Sequence, residues 1–344
     1  MKIAFFDSKN YDIESFEPFV KERQIEVKFF EPKLNADTAE MARGFDGVCI
    51  FVNDTVNKEV VDKLVSFGVK AIFLRCAGFN NVDLAACFGK LHVYRVPAYS
   101  PYAVAEHAMA LFLTSNRRIH KAYNRVREYN FSLSGFAGMD LYGKTVGVIG
   151  TGKIGRIFIN ICRGFGMRVI AYDLYPIPNS DIEYVSLEEL FKQSDIISLH
   201  CPLTPETTHI INKDSINLMK KGVNIINTSR GGLINAEDLL QGIKDRKIGS
   251  ASLDVYEEES DIFFEDKSGH IMNDSTLLQL IAMPNVIITS HQAFLTNEAL
   301  NNIADTTTNN IIGFFSDNYN LDNEVCYHCG NQANCRKARH KKCF

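Results

Sequence analysis

The sequence predicts an α/β protein of two domains, each built on a doubly wound parallel sheet. Three observations carry this reading. Short apolar, β-branched runs alternate with longer amphipathic ones almost from end to end, the pattern of repeated βαβ units covered on both faces. The chain has 344 residues, and domains of about 100–200 residues make two the expected number. A glycine-rich turn, Gly150-Thr151-Gly152-Lys153-Ile154-Gly155, opens a helical run directly after an apolar strand-like one.

Element by element, the first hundred residues offer strands at 2–7, 26–31, 47–52, 71–74 and 93–96. Residues 101–127 read as one long helix, because Pro101 suits a first turn and Ala, Met, Leu and Phe recur on one face through Leu113. A second series of six strands lies at 145–149, 168–172, 195–199, 224–227, 250–254 and 286–289, with helices such as 153–165 and 236–245 between them. Six parallel strands with intervening helices fit a Rossmann domain, here 100–296. A last helix, 297–315, is expected to return to the first domain, making it discontinuous: 1–99 with 297–325, flavodoxin-like. Residues 326–344 form a Cys-rich extension, and no repeat or low-complexity linker is visible.

Composition narrows the class. Apolar residues make up 46% of the chain and charged residues 23%, as in soluble globular proteins. A formal charge of -4 gives no reason to expect a nucleic-acid or acidic-membrane partner. No stretch approaches the roughly 18 apolar residues of a membrane span. The apolar run before Asp7 is too short for a secretory signal, so a cytoplasmic location is expected. Five of nine cysteines (Cys49, Cys76, Cys87, Cys162 and Cys201) sit in apolar segments, where a free thiol behaves as a small hydrophobe.

The glycine turn gains meaning from its context. A lone G-x-G-x-x-G is weak evidence, but this one comes after Val146-Gly147-Val148-Ile149 and starts a helix, as a dinucleotide fingerprint must. Gly150 permits the tight turn, Gly152 lets a pyrophosphate approach the backbone, and Gly155 allows close helix–strand packing. The helix start supplies free N–H groups and partial positive charge. Asp173 ends the next strand, 18 residues after Gly155. A carboxylate there accepts hydrogen bonds from an adenosine ribose and repels a 2′-phosphate, which favours NAD over NADP.

Ligands of open α/β sheets bind outside the carboxyl ends of the strands. At those ends this sequence places Asp173, then His200-Cys201-Pro202, Thr228-Ser229-Arg230, Asp254 and His291. Any one of these is more often a surface residue or a satisfied buried polar group; together they mark a site. Reduction of a 2-keto acid with a nicotinamide cofactor would need a forked cation for the carboxylate, which Arg230 supplies. It would need a proton donor for the carbonyl oxygen, which His291 supplies. It would also need a carboxylate to favour the protonated imidazole. Glu257, Glu258 and Glu259 all come after Asp254-Val255-Tyr256, and spacing does not choose among them.

From about residue 1 to about residue 325 the chain resembles the D-2-hydroxyacid dehydrogenase family, and within it the fermentative NAD-dependent D-lactate dehydrogenases most of all. The resemblance rests on Arg75-Cys76-Ala77-Gly78-Phe79-Asn80-Asn81-Val82-Asp83, Val96-Pro97-Ala98-Tyr99-Ser100-Pro101, the glycine motif, His200-Cys201-Pro202-Leu203-Thr204, Asn227-Thr228-Ser229-Arg230-Gly231-Gly232, Asp254-Val255-Tyr256-Glu257 and Ser290-His291-Gln292-Ala293-Phe294. It implies Arg230, Glu259 and His291 as the catalytic set, which selects Glu259 from its neighbours. It implies backbone N–H groups at Ala77 and Gly78 for the substrate carboxylate, with Tyr99 and Phe294 beside a small substrate. The expected cofactor set is Gly150, Gly152, Gly155, Arg156, Ile157, Asp173, His200, Pro202, Thr228, Ser229 and Asp254. The implied reaction is reversible hydride transfer from NADH to pyruvate, giving D-lactate and NAD. In the family the region from Pro101, with Glu106-His107 and Arg117-Arg118, helps form a dimer contact, which implies a homodimer or homotetramer. The rivals are a dehydrogenase of a larger or phosphorylated 2-keto acid and, from another class, an NAD-sensing binding protein. An assay with pyruvate separates them.

The end of the chain departs from the family. Cys326, Cys329, Cys335 and Cys343 give C-x2-C-x5-C-x7-C, a spacing that fits a structural zinc site and equally a disordered Cys-rich extension.

Overall fold

The computed structural model describes residues 1–259, 262–316, 318, 320–328 and 343. The chain opens with β1 (Lys2–Phe5), α1 (Asn10–Glu22), β2 (Glu26–Phe29), β3 (Gly47–Ile50), α2 (Lys58–Ser66), β4 (Ala71–Leu74), α3 (Leu84–Cys87) and β5 (His92–Tyr94). It continues through α4 (Pro101–Arg117), α5 (Ile119–Arg127), β6 (Thr145–Ile149), α6 (Lys153–Gly164), β7 (Arg168–Tyr172), β8 (Glu183–Tyr184), α7 (Leu187–Gln193) and β9 (Ile196–Leu199). Then come α8 (Lys213–Leu218), β10 (Val223–Asn227), α9 (Ala236–Lys244), β11 (Ile248–Leu253), α10 (Ser275–Ala282) and β12 (Val286–Ile288). It closes with α11 (Asn297–Phe315) and β13 (Glu324–Val325). Two compact units result: Met1–Ser100 with the segment beginning at Thr296, and Pro101–Leu295.

In the first unit the sheet order is β13-β5-β4-β3-β1-β2. Five strands run parallel, and β13 pairs antiparallel with β5 through Glu324↔Tyr94. Strands buried on both faces read as continuous apolar runs: Ile3, Ala4 and Phe5, and all of Ala71–Leu74, are buried. The helix α11 packs on this sheet and on α1. Phe314 meets Phe73 with ring centres 6.1 Å apart, and Arg23 donates to the Asp305 carbonyl at 3.0 Å. A buried Arg75 lies between the Phe5 and Phe51 rings and bonds Asp12 at 3.1 Å.

The second unit carries seven parallel strands in the order β12-β11-β10-β9-β6-β7-β8. Chain direction across the sheet reverses between β6 and β9, which places a ligand crevice at their carboxyl ends. Alternation along the strands fills two cores. Val146, Val148, Ile196 and Ile226 pack with Phe158, Cys162 and Phe112 on one face, while Ile149, Ile197, Leu199 and Ile225 pack with Leu239, Leu253 and Leu280 on the other.

Three elements differ from the sequence expectation. The helix expected over 101–127 is two, because Arg118 adopts a left-handed conformation (φ 50°) that interrupts the hydrogen-bond ladder. Two strands, β8 and β13, are two residues long, too short to leave an alternating pattern. Among the described residues no helix is long and apolar enough to cross a membrane.

Candidate active site

The glycine turn ties three strand ends together. A methyl group on Gly155 would lie 2.0 Å from the Gly150 carbonyl oxygen, so α6 starts hard against the end of β6 only because both residues lack side chains. Gly150 itself has φ +96°, and a side chain there would meet the His200 carbonyl at 2.6 Å. In contrast, the space beside Gly152 is open. Helices α7, α8, α9 and α10 each begin with a side chain accepting from a first-turn N–H. At α6 the capping position is Gly152, and no side chain takes that role. Its N–H groups are left for an anion.

Nearby residues fit the rest of a dinucleotide. Asp173 accepts from the Thr151 N–H at 2.6 Å and hydroxyl at 2.9 Å, and from the Tyr175 N–H at 2.9 Å. Partial burial works against its charge, yet these donors outweigh it and hold the carboxyl below its ordinary range. Thr228, after β10, keeps a buried hydroxyl oxygen with no hydrogen-bond partner among the described residues, a group that a bound ligand would satisfy. Ser229 crosses to β9, donating its hydroxyl to the Cys201 carbonyl at 2.7 Å. Pro202 is next, its carbonyl accepting from Thr207 at 2.7 Å. His200 packs on Phe158 with ring centres 4.9 Å apart, and burial pushes its pKa down to about 3, so the ring is neutral. In the first turns of α6, Arg156 is exposed while Ile157 packs into the core.

The ionisable residues gather after β10, β11 and β12. His291, with φ 51°, faces Glu259: Nδ1 lies 2.8 Å from Oε1. A carboxylate only accepts, so Nδ1 carries the proton of this bond. Nε2 meets no hydrogen-bond partner among the described residues. Glu259 is fixed by the Tyr256 N–H, which donates to Oε2 at 2.8 Å. Glu257 instead pairs with His209, and Glu258 is exposed. Arg230 is exposed, with Nη1 donating to the Ser229 carbonyl at 2.7 Å. Its position depends on Gly231, where a methyl group would lie 2.0 Å from the Tyr256 carbonyl oxygen. That close approach brings the end of β10 beside the segment carrying Glu259.

An oxidoreductase reading of this geometry has a match among known proteins. The family model for the D-isomer specific 2-hydroxyacid dehydrogenase NAD-binding domain covers residues 109–293, more than half of the chain. The chain belongs to the D-2-hydroxyacid dehydrogenase family. The D-lactate dehydrogenase of Escherichia coli (strain K12) is 51% identical over 315 residues, covering 90% of this chain and 96% of that protein. The solved structure of the pyruvate reductase of Chlamydomonas reinhardtii is 45% identical with a TM-score of 0.88, covering 92% of this chain and 97% of that one. A D-2-hydroxyisocaproate dehydrogenase structure is 34% identical with a TM-score of 0.84, covering 94% and 99%.

Asp254 has a larger role in this 2-hydroxyacid dehydrogenase than its motif suggested. It is fully buried, and its carboxylate accepts from the N–H groups of Gln292 at 2.9 Å and Ala293 at 2.8 Å. The Thr289 hydroxyl also donates to it, and His107 Nε2 lies 3.3 Å away. The His291 N–H donates to the Asp254 carbonyl at 2.7 Å. Asp254 thereby builds the turn that presents His291. Sequence reasoning missed Thr289 and His107 as its partners, since contacts between α4, β11 and β12 leave no local pattern.

In the first unit, Ala77 and Gly78 form a half-buried turn after β4, and Arg95 Nη1 donates to the Ala77 carbonyl at 2.9 Å. The Tyr99 carbonyl accepts from Asn302 at 2.8 Å. In the second unit Phe294 is buried.

The zinc expectation gains no support from the described residues. Among the described residues no group of three or more His, Cys, Asp or Glu side chains could hold a metal ion. Cys329 and Cys335 lie outside the described residues. Cys326 and Cys343 are both buried and hydrogen-bonded to each other. Burial, and after it the charge of Glu324, push the Cys343 thiol up. Glu324 is already engaged, by His92 Nδ1 at 2.6 Å and the Cys343 N–H at 3.0 Å.

Proposed function

We propose that this chain is an NAD-dependent D-lactate dehydrogenase, converting pyruvate and NADH reversibly to D-lactate and NAD. The observation that carries the reading is the His291–Glu259 pair, held by Asp254 and Tyr256 at the sheet edge that also bears Arg230 and the glycine turn. Bound NADH supplies the hydride for the keto carbon. His291 delivers a proton from Nε2 to the carbonyl oxygen, and Glu259 stabilises the imidazolium before transfer. Arg230 offers two parallel N–H donors to the carboxylate, a geometry lysine lacks. The N–H groups of Ala77 and Gly78 receive carboxylate oxygens, and Tyr99 and Phe294 limit the acyl group to a small one. Gly150, Gly152, Gly155, Arg156 and Ile157 hold the pyrophosphate. Asp173 takes the adenosine ribose, and His200, Pro202, Thr228, Ser229 and Asp254 line the remainder. In domain terms, 1–99 with 297–325 serve the substrate and 100–296 the cofactor. The 51% identity to a D-lactate dehydrogenase supports both the D-stereochemistry and pyruvate as substrate.

A homodimer or homotetramer is part of the same proposal. Tyr123, Val126, Phe131 and Leu133 are each more than half exposed on and after α5, with Arg117, Arg118, Arg125 and Arg127 among them. Apolar side chains so gathered mark an association surface. Val126→Glu is expected to shift the species seen by light scattering to a smaller one; an unchanged mass places the contact elsewhere. Cys49, Cys87, Cys162 and Cys201 are buried free thiols, which supports a reducing, cytoplasmic setting.

The test is to mix purified protein with NADH and pyruvate, follow nicotinamide absorbance, and run D- and L-lactate in reverse. Oxidation of NADH reversed by D-lactate alone is the expected result. Turnover only on larger 2-keto acids moves the substrate assignment. NADH binding without turnover on any 2-keto acid overturns the enzymatic reading.

A further inference from the structure

We infer that Arg95 is a positioning residue for the substrate carboxylate, acting through the peptide bond that joins Ala77 to Gly78. The inference rests on the proposed function, in which the Gly78 N–H receives that carboxylate. Arg95 directly succeeds β5, and its Nη1 donates to the Ala77 carbonyl at 2.9 Å. That carbonyl and the Gly78 N–H belong to one planar trans peptide and point in opposite directions. Fixing the oxygen therefore fixes where the N–H points. A cationic donor on the oxygen also polarises the peptide and strengthens the N–H as a donor on the far side.

Other contacts make the grip two-sided. The guanidinium carbon lies 5.3 Å from the centre of the Phe79 ring, within cation–π range. The next residue, Val96, donates its N–H to the Cys76 carbonyl at 3.1 Å. Arg95 and Val96 thus hold Cys76, Ala77 and Phe79, the residues around Gly78, whose own carbonyl accepts from Cys76 Sγ at 3.3 Å. Arg95 is itself anchored, its backbone N–H donating to the Asn323 carbonyl at 2.9 Å and its carbonyl accepting from Asn310 at 3.1 Å. Packing alone would not call for a guanidinium here. Its Nε is buried with no hydrogen-bond partner among the described residues, a cost that an apolar side chain would avoid.

The experiment compares wild type, Arg95→Met and Arg95→Lys, each saturated with NADH. Oxamate, the amide isostere of pyruvate, is titrated by fluorescence; kcat and KM are measured for pyruvate, and NADH affinity reports on the cofactor half. Arg95→Met is expected to weaken oxamate and raise the pyruvate KM by about tenfold, the order of one hydrogen bond. NADH affinity should be unmoved, and Arg95→Lys should recover part of the loss. A fall in kcat with oxamate affinity and KM unchanged overturns the inference, since a merely structural residue would do that. Wild-type turnover with both variants binding oxamate normally also overturns it, while leaving the proposed function standing. A wild type that neither binds oxamate nor reduces pyruvate overturns both. Should Arg95→Met not fold, an unchanged KM in Arg95→Lys is sufficient to reject the role.

Discussion

Arg230 and His291 deal with two charges on one small molecule, and each depends on a property its nearest chemical substitute lacks. Arg230→Lys keeps the charge but loses the fork, so kcat/KM for pyruvate is expected to fall by a factor on the order of 100. Steady-state kinetics near the wild-type values would remove Arg230 from the mechanism. Glu259→Gln keeps the shape but loses the anion beside the imidazolium. Without it Nδ1 loses its charged acceptor, and kcat for pyruvate reduction is expected to fall about tenfold or more with NADH affinity unmoved. A wild-type kcat would show that Glu259 does not assist His291. Three glutamates in a row illustrate what spacing alone leaves open. Physical reasoning required one carboxylate, and the fold distributes them: Glu259 to His291, Glu257 to His209, and Glu258 to solvent. A turn geometry decides that assignment, and turns depend on tertiary contacts more than on residue type.

Among elements, those with strong local signals were legible. The strand at Ala71–Leu74, the strand at Thr145–Ile149 and the last helix, Asn297–Phe315, match their expected limits because apolar periodicity and caps agree there. Thr296, for example, accepts from the Ala299 N–H at the start of α11. The break at Arg118 was not legible, since arginine is a good helix former and nothing local forbids continuation. Strands β8 and β13 exist only because a neighbouring strand offers a free edge to Glu183–Tyr184 and Glu324–Val325. The junction of β10 with the segment after β11 turns on a single missing side chain. Gly231→Ala must push the added methyl off the Tyr256 carbonyl, and is expected to cost about 1–3 kcal/mol of stability. Activity should fall further than stability, because Arg230 is displaced along with its neighbour. Chemical denaturation together with kcat/KM checks this; a variant as stable and active as wild type would mean the backbone yields freely.

At the scale of the molecule, each unit has its own sheet and its own sensitivities. In the first unit, burial raises Asp54 from 3.8 to about 7, against the opposing pull of Arg75 and the N–H donors of Phe51 and Leu34. Below about pH 4 the folded and unfolded chains both hold this proton. As pH rises toward 7 the unfolded chain loses it while the buried carboxyl keeps it. The stabilisation is thus fully present below about pH 4 and is lost as pH rises through about 7, amounting to roughly 2–4 kcal/mol. Urea unfolding at about pH 5 and about pH 8 should show the decline across the window set by those two values, and Asp54→Asn should flatten it whatever its baseline. An equal slope in that variant would assign the pH dependence to other groups. The return of the chain at Thr296 has a separate consequence, for synthesis. A ribosome releases β1 to β5 first, then all of Pro101–Leu295, and only then the helix that covers Phe73 and the strand that closes the β5 edge. The inserted unit is complete and able to fold while the first is still missing a wall. During that interval the nascent chain displays an apolar sheet face and an unpaired edge, the surfaces that holding chaperones recognise. The interval between the release of Leu295 and that of α11 and β13 is therefore when this protein is most exposed to misassembly.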